Sequence, residues 1–521
     1  MMDVYRAALS LGLLVLIAFF VGRLFAFVGI LPHAGYVITG MLFGAGLPIT
    51  ERVFLFHYAL TFLLAYLGYM ASSRRIFSAP LQLFFVHPLR VAIGFALFFS
   101  FLYLSGLDIT TSLVVGVLLA TSSALVVRWG RDTSYALIER SILSMDALLS
   151  ALVLLYVVKE PVLSIVLAAL SYVLLMYSGS ALLSVSIFLI CSFLAVHGYA
   201  GYYTLAFVLG IVLHHVVDHM KMHWAEGVLQ DVLPVVFLVG VGAWAGLHFT
   251  PLSGLYIVII AFLSLLQNFV SLVVLGSVFG VSPKTGAHIL ARTFGPSEAV
   301  LFALAVLPVS SALVYAVVWF YLLALVFSSY VRTEKDAEHL LSVLFPSSLF
   351  RSIEELEYAY SHVFVRHHVV FSDAYRERVL PLSRKMLAGM ILLIVAASSL
   401  VYLVFNPLPY RVFLILFSVT LLAVVLMRLL RWYFSFYETT IFFVSDHAYA
   451  GRIRPGKSPY YFVAGFLLTV LGFAAVPFSI PLFNLVFLFF VLLLINAGLY
   501  LLLSSYAQIY NEFVRKREYG L

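Results

Sequence analysis

Residues 291–308 read ARTFGPSEAVLFALAVLP. The stretch is apolar on either side of its centre, yet Gly295 and Pro296 stand in the middle with Glu298 close behind. Proline has no amide proton and clashes with the preceding turn, so a Gly-Pro pair here breaks or kinks the helix. A charge in a membrane span costs about 2.5–3.5 kcal/mol on insertion scales, so it usually faces a cavity and serves a purpose. Two compatible readings of Glu298 stand open. It caps the helix that starts after Pro296, as an acidic first-turn residue at the positive end of the dipole. Alternatively, the two half-helices expose unpaired amides and carbonyls, and Glu298 joins them in an ion site of the kind secondary transporters build.

The rest of the chain has the same apolar character. Of 521 residues, 64% are hydrophobic and 10% charged, and the mean hydropathy is +1.11. Soluble domains are about half apolar and about a quarter charged, and no soluble fold hides so much apolar surface. The solvent is therefore lipid. The expected fold is all-α: a polytopic transmembrane helix bundle of about seventeen spans, each of about 20 residues. These fall at 7–28, 33–49, 53–71, 83–105, 111–129, 138–158, 161–178, 180–198, 201–217, 229–248, 253–278, 284–308, 310–330, 386–404, 411–430, 460–480 and 482–506. The first run lacks a small-residue cleavage site and is followed at once by more spans, so it reads as a retained helix.

Charge placement tests this count. Alternate loops hold Arg74, Arg75 and Arg90, then Arg128, Arg131 and Arg140, then Lys284, the 331–385 segment, and Arg428, Arg431, Arg452, Arg454 and Lys457. The opposite loops hold little beyond Arg52, Lys159 and Arg411. The positive-inside rule then puts the N-terminus outside and the C-terminus in the cytoplasm of an inner-type plasma membrane. The net charge of +7 is spread over these clusters rather than gathered on one basic domain, so no nucleic-acid partner is expected. The single cysteine, Cys191, lies in an apolar run and excludes a disulfide scaffold or a Cys-rich metal site.

Three blocks emerge: residues 1–330, about thirteen tightly joined spans; a cytoplasmic linker at 331–385; and a four-span unit at 386–521. The linker contains EELEYAYSHVFVRHHVVF at 354–371, which reads as an amphipathic surface segment. The last unit reads as a lateral scaffold or dimerisation element, so a homodimer is expected.

Two further features lie inside spans. Asp146, in ERSILSMDALLSALVLLY, stands well before Lys159 and near mid-membrane. It is either a structural aspartate bonded to a neighbouring helix or an ion or proton site. Thr121, Ser122 and Ser123, in LVVGVLLATSSALVVRW, are consecutive hydroxyls that can bond their own backbone and loosen a helix, or simply pack against a neighbour. Two interrupted helices in comparable places of two halves are the pattern of inverted repeats with a midplane site.

In this order the segments resemble the monovalent cation:proton antiporter superfamily, in particular its branch of sodium/proton exchangers and glutathione-regulated potassium efflux systems. LPHAGYVITGMLFG at 31–44 resembles that family's second helix, TSSALVV at 121–127 its first discontinuous helix, and MDALLSALVL at 145–154 the helix with the ion-binding aspartate. GVSPKTGAHILARTFGPSEAVLFA at 280–303 resembles the stretch that ends in its Gly-Gly-Glu pattern. The resemblance, over residues 8–328, implies exchange of Na+ or K+ for a proton, with Asp146 binding either and no cofactor. Four departures stand out. Met145 replaces a polar or second acidic residue, Gln267 replaces a basic one, Pro296-Ser297 replaces Gly-Gly, and no glycine-rich nucleotide-binding domain follows.

A lone carboxylate that holds a proton and an ion in turn couples two fluxes by competition, because burial disfavours its charged form. With Met145 beside Asp146, only one side chain of that pair carries a proton, so exchange is expected to be one for one and electroneutral. The hydroxyls of Thr121, Ser122 and Ser123 and the carbonyls freed at the breaks are expected to complete the ion's oxygen shell. Two rival readings remain. One is a non-transporting scaffold or sensor on the same fold. The other is a membrane metal enzyme, since His214, His215, Asp218, His219 and His223 include four-residue spacings that suit Zn2+ on one helical face. Against the latter, no His-Glu-x-x-His pattern occurs and the cluster, beside Lys221, Trp224 and Glu226, reads more simply as an interfacial helix.

Overall fold

The computed structural model describes residues 2–44, 46–71, 83–123, 134–160, 181–196, 201–220, 223–246, 250–274, 283–330, 458–479 and 490–502, with isolated positions elsewhere. The span expected at 161–178, half of 411–430, the start of 482–506 and, but for isolated positions, 386–404 and the 331–385 linker lie outside these residues.

Among the described residues the fold is all-helical. In chain order the helices are α1 (Met2–Phe27), α2 (Pro32–Gly44), α3 (Ile49–Ala71), α4 (Leu83–Leu104), α5 (Ile109–Ala120), α6 (Ser134–Val157) and α7 (Ala181–Val196). There follow α8 (Tyr202–His219), α9 (His223–Ala245), α10 (Pro251–Asn268), α11 (Pro283–Arg292), α12 (Glu298–Val306), α13 (Ser311–Tyr330) and α14 (Ser458–Ser479). Four helical stretches are long and apolar enough to cross a membrane: Glu51–Ala71, Val86–Leu104, Pro251–Val273 and Ser311–Tyr330. Several shorter apolar helices accompany them. Internal contacts divide the chain into one unit of residues 1–79, 93–274 and 284–347, and another of 80–92, 275–283 and 348–521.

Several expected spans differ in detail. In place of the span at 33–49, α2 is a helix of 13 residues, about 20 Å at 1.5 Å per residue and short of a bilayer core of about 30 Å. The span expected at 111–129 is helical only to Ala120 among the described residues. The span at 253–278 changes to a π-helix at Phe269–Val274, a winding that hydropathy does not register. The span at 284–308 is split into α11 and α12, as the Gly-Pro pair predicts.

Local chemistry sets several of the ends. The α1 helix closes in a Schellman turn, with the Ile30 amide 2.9 Å from the Phe25 carbonyl and Gly29 at φ 88°. The same closure ends α4, where Gly106 has φ 92° and the Leu107 amide reaches Leu102 at 3.2 Å. A capping box of Thr250 and Ser253 begins α10.

Packing in the first unit relies on small residues. Gly40 of α2 faces Val239 and Gly242 of α9, and Gly68 of α3 faces the Phe207 carbonyl of α8. A methyl group at either glycine would run into the facing backbone. Such close approach is how helices associate where burial against lipid offers little driving force. These pairs, with α6 against α3, surround α12, which itself contacts α5, α6 and α13. That arrangement brings the two helix breaks together.

Candidate functional site where two extended segments cross

The first break begins at the end of α5. Thr121 takes an extended conformation (φ −89°, ψ 150°), and its hydroxyl donates back to the Leu118 carbonyl at 2.8 Å. A hydroxyl that competes for helical carbonyls favours such an ending. The second break follows α11. The Thr293 hydroxyl donates to the Ile289 carbonyl at 2.8 Å, and Pro296 lacks the amide that a continuous helix would use. Ser297, extended at φ −61° and ψ 143°, is the N-cap of α12 and accepts from the Ala299 amide. Glu298 is therefore the first residue of α12, as its first-turn reading predicts, while the capping side chain is that of Ser297.

The two extended segments cross as an antiparallel bridge centred on Ser122 and Pro296. The Ser123 amide donates to the Gly295 carbonyl at 3.1 Å, and the Ser297 amide donates to the Thr121 carbonyl at 3.0 Å. Backbone groups left over at these helix ends thus pair with each other across most of the first unit's sequence.

Side chains complete the crossing. Asp146 of α6 accepts the Ser122 amide on Oδ2 at 3.0 Å. The Ser122 hydroxyl donates to the Thr293 carbonyl at 2.9 Å. The Ser123 hydroxyl donates to Glu298 Oε1, and so does the hydroxyl of Tyr321 in α13, at 3.2 Å. Thr121 pairs with the Ser150 hydroxyl at 3.0 Å, one helical turn along α6 from Asp146. Gln267 of α10 donates its side-chain amide to the Ala120 carbonyl at 2.7 Å, and the Ser264 hydroxyl donates to Phe294 at 2.7 Å. Gly94 in α4 leaves room for that glutamine, since a methyl there would overlap its amide. Asp146 and Glu298 are both 0% exposed, so each carboxyl meets only protein groups or whatever enters the crossing.

Thr121, Ser122, Ser123, Asp146, Gly295, Pro296, Glu298 and Gln267 therefore assemble at one place, with Met145 buried beside Asp146. One expectation about the oxygens changes. The carbonyls freed at the breaks do not stand open: those of Ala120, Thr121, Thr293, Phe294 and Gly295 each accept a donor from the protein. A carbonyl has two lone pairs, so an ion would use the second of each or displace the donor.

Sequence reasoning missed Ser150, Ser264, Thr293 and Tyr321. Ser150 and Ser264 carried a readable signal, lying four residues after Asp146 and three before Gln267, on shared helical faces. Tyr321 carried none, being one of 31 tyrosines in the chain.

The histidine cluster is arranged differently from its spacing. His214 and His215 lie in α8, which ends at His219, while His223 begins α9. The step from His219 to His223 therefore crosses a turn and does not follow one helical face. His214 packs edge-on against Tyr69 and His215. The side chains of Asp218, His219 and His223 lie outside the described residues. Among the described residues, no three His, Cys, Asp or Glu side chains converge as a metal site would require.

No protein-family model matches the chain, and no curated protein matches it either.

Proposed function

We propose that the protein exchanges a monovalent cation, Na+ or K+, for a proton, one for one, with Asp146 holding each in turn. The observation that carries this reading is the buried bridge: the extended residues that end α5 and the break between α11 and α12 meet where the Asp146 carboxylate accepts the Ser122 amide. A carboxylate excluded from water binds a proton or a partly dehydrated cation, and the two compete for the same oxygens. The hydroxyls of Thr121, Ser122 and Ser123 stand on and beside the residue whose amide Asp146 accepts, and they would supply neutral oxygens. Rigid-body movement of the elements that carry the crossing would expose Asp146 to one side and then the other.

The proposal includes about seventeen spans, with the first thirteen forming two inverted repeats, the N-terminus outside, and a homodimer in the plasma membrane. Contacts among ends assigned to the outer face support that alternation. Glu160, after α6, accepts the Tyr203 amide at 3.2 Å and the Thr204 hydroxyl at 3.1 Å at the start of α8. The Tyr203 hydroxyl in turn meets His57 Nδ1 of α3 at 2.5 Å.

A second reading, a scaffold or sensor without transport, is favoured by one observation. Neutral donors inside the protein already occupy the freed carbonyls, Gln267 among them. Liposomes containing the purified protein and a trapped pH dye separate the two. The exchanger alkalinises or acidifies the lumen according to the imposed Na+ or K+ gradient, independently of voltage, and Asp146→Asn abolishes this while eluting and melting as a folded protein. A wild type that moves no protons with Na+, K+ or Li+ leaves only the scaffold. Exchange retained by Asp146→Asn removes Asp146 from the role.

A further inference from the structure

Ser123 and Tyr321 meet at Glu298, and the three side chains form a triangle with the carboxylate at its apex. Glu298 Oε1 accepts from both hydroxyls. Tyr321 is 0% exposed, as are Ser123 and Glu298. Three elements supply the members: the α5 break, the first turn of α12 and the middle of α13. A fourth, α6, brings Asp146 to the neighbouring residue of the bridge.

The chemistry of a hydroxyl limits what this triangle can do. A serine hydroxyl has one proton and two lone pairs. When its proton is committed to a carboxylate, both lone pairs are left for an approaching cation, and the bond to the charged group is stronger than one to a neutral acceptor. A freely rotating hydroxyl would spend part of its time pointing its proton at the ion. Glu298 thus sets the direction of the Ser123 hydroxyl. The second donor, Tyr321, holds the carboxylate oxygen in place and supplies a hydrogen bond that a buried carboxylate needs.

Resting on the exchange reading above, we infer that Tyr321 is a positioning residue of the ion site, acting through Glu298 to turn the oxygen of Ser123 toward the cation. It touches neither ion nor proton on Asp146. Its influence falls on cation affinity rather than on the rate at which the loaded carrier turns over. Ser123→Ala removes the oxygen that Tyr321 orients, so the two changes act on one interaction and do not add.

The test is exchange in liposomes by wild type, Asp146→Asn, Tyr321→Phe, Ser123→Ala and the double variant Tyr321→Phe/Ser123→Ala, with Na+ and K+ each varied. Tyr321→Phe keeps the buried ring and deletes one oxygen, and its melting temperature beside the wild type's establishes that it folds. The expected result is a rise in cation KM of about tenfold for Tyr321→Phe, the size of losing one hydrogen bond to a charged group. Its maximal rate stays near the wild type's, and the double variant has the KM of Ser123→Ala alone. An unchanged KM in Tyr321→Phe overturns the inference, as does a fall in maximal rate alone or an additive double variant, which would make Tyr321 merely structural. In all these cases an active wild type and an inert Asp146→Asn keep the exchange reading intact. A wild type inert toward both cations overturns the exchange reading, and the inference with it.

Discussion

Gln267 shows how much one neutral side chain can carry at a helix break. Its amide meets the Ala120 carbonyl, the last of α5, where both residues are buried. A buried acceptor left without a partner costs about 1–3 kcal/mol. Gln267→Leu, similar in size and unable to donate, should destabilise the protein by that amount, read as a lower melting temperature in detergent. A variant as stable as the wild type would mean that the Ala120 carbonyl finds another donor. The sequence marked Gln267 as a departure from a basic residue, but its role as a donor to a freed carbonyl was legible only once α10 and α5 were placed side by side. The same holds for Asp146 and Glu298. Their cost inside apolar runs was visible in the sequence, while their partners became legible only with the helices placed: the Ser122 amide for Asp146, and for Glu298 the hydroxyls of Tyr321 and of the distant Ser123.

At the scale of the element, breaks proved easier to read than windings. Gly295-Pro296 removes an amide and so ends a helix by covalent structure, and the interruption falls at 293–297 between α11 and α12. The ending of α5 at three hydroxyl residues was similarly accessible, since Thr121 competes for the Leu118 carbonyl. The π segment at Phe269–Val274 left no trace in the hydropathy, because FVSLVV suits an α-helix as well. Nor was the N-cap of α5 foreseen. Asp108 caps that helix by accepting the Thr111 amide at 2.9 Å. Partial burial pushes its carboxyl upward, but the bonds from Thr111 and from the amides of Asp108 and Thr110 outweigh this and hold it below the usual range. A depressed carboxyl stabilises the folded state above its unfolded pKa and loses that contribution as pH falls through the folded one. Asp108→Ala should therefore melt earlier near neutral pH, by about 1 kcal/mol, the usual value of such a cap. The gap should close on acidification below the carboxylate range. A gap that persists in acid would assign the effect to something other than the charge.

For the molecule as a whole, composition alone pointed to membrane helices, and among the described residues the fold is all-helical with helices apolar enough to cross a membrane. Expected span lengths were less dependable, because helices such as α2 and α5 stop at about half a bilayer. Hydropathy averages over a window and does not see where a helix stops inside an apolar run. What no local reading could supply is the meeting of residues 121–123 with 293–298, which follows from how α5, α6, α12 and α13 pack.

The central claim is that a proton and a cation compete for Asp146. Its most direct test is the pH dependence of the cation KM for wild-type exchange in liposomes, at equal pH on both sides. Competition predicts that KM rises by about tenfold for each unit of acidification once the carboxyl is protonated, with the maximal rate unchanged at saturating cation. A KM that stays constant across that range, with pH acting on the maximal rate alone, would contradict it.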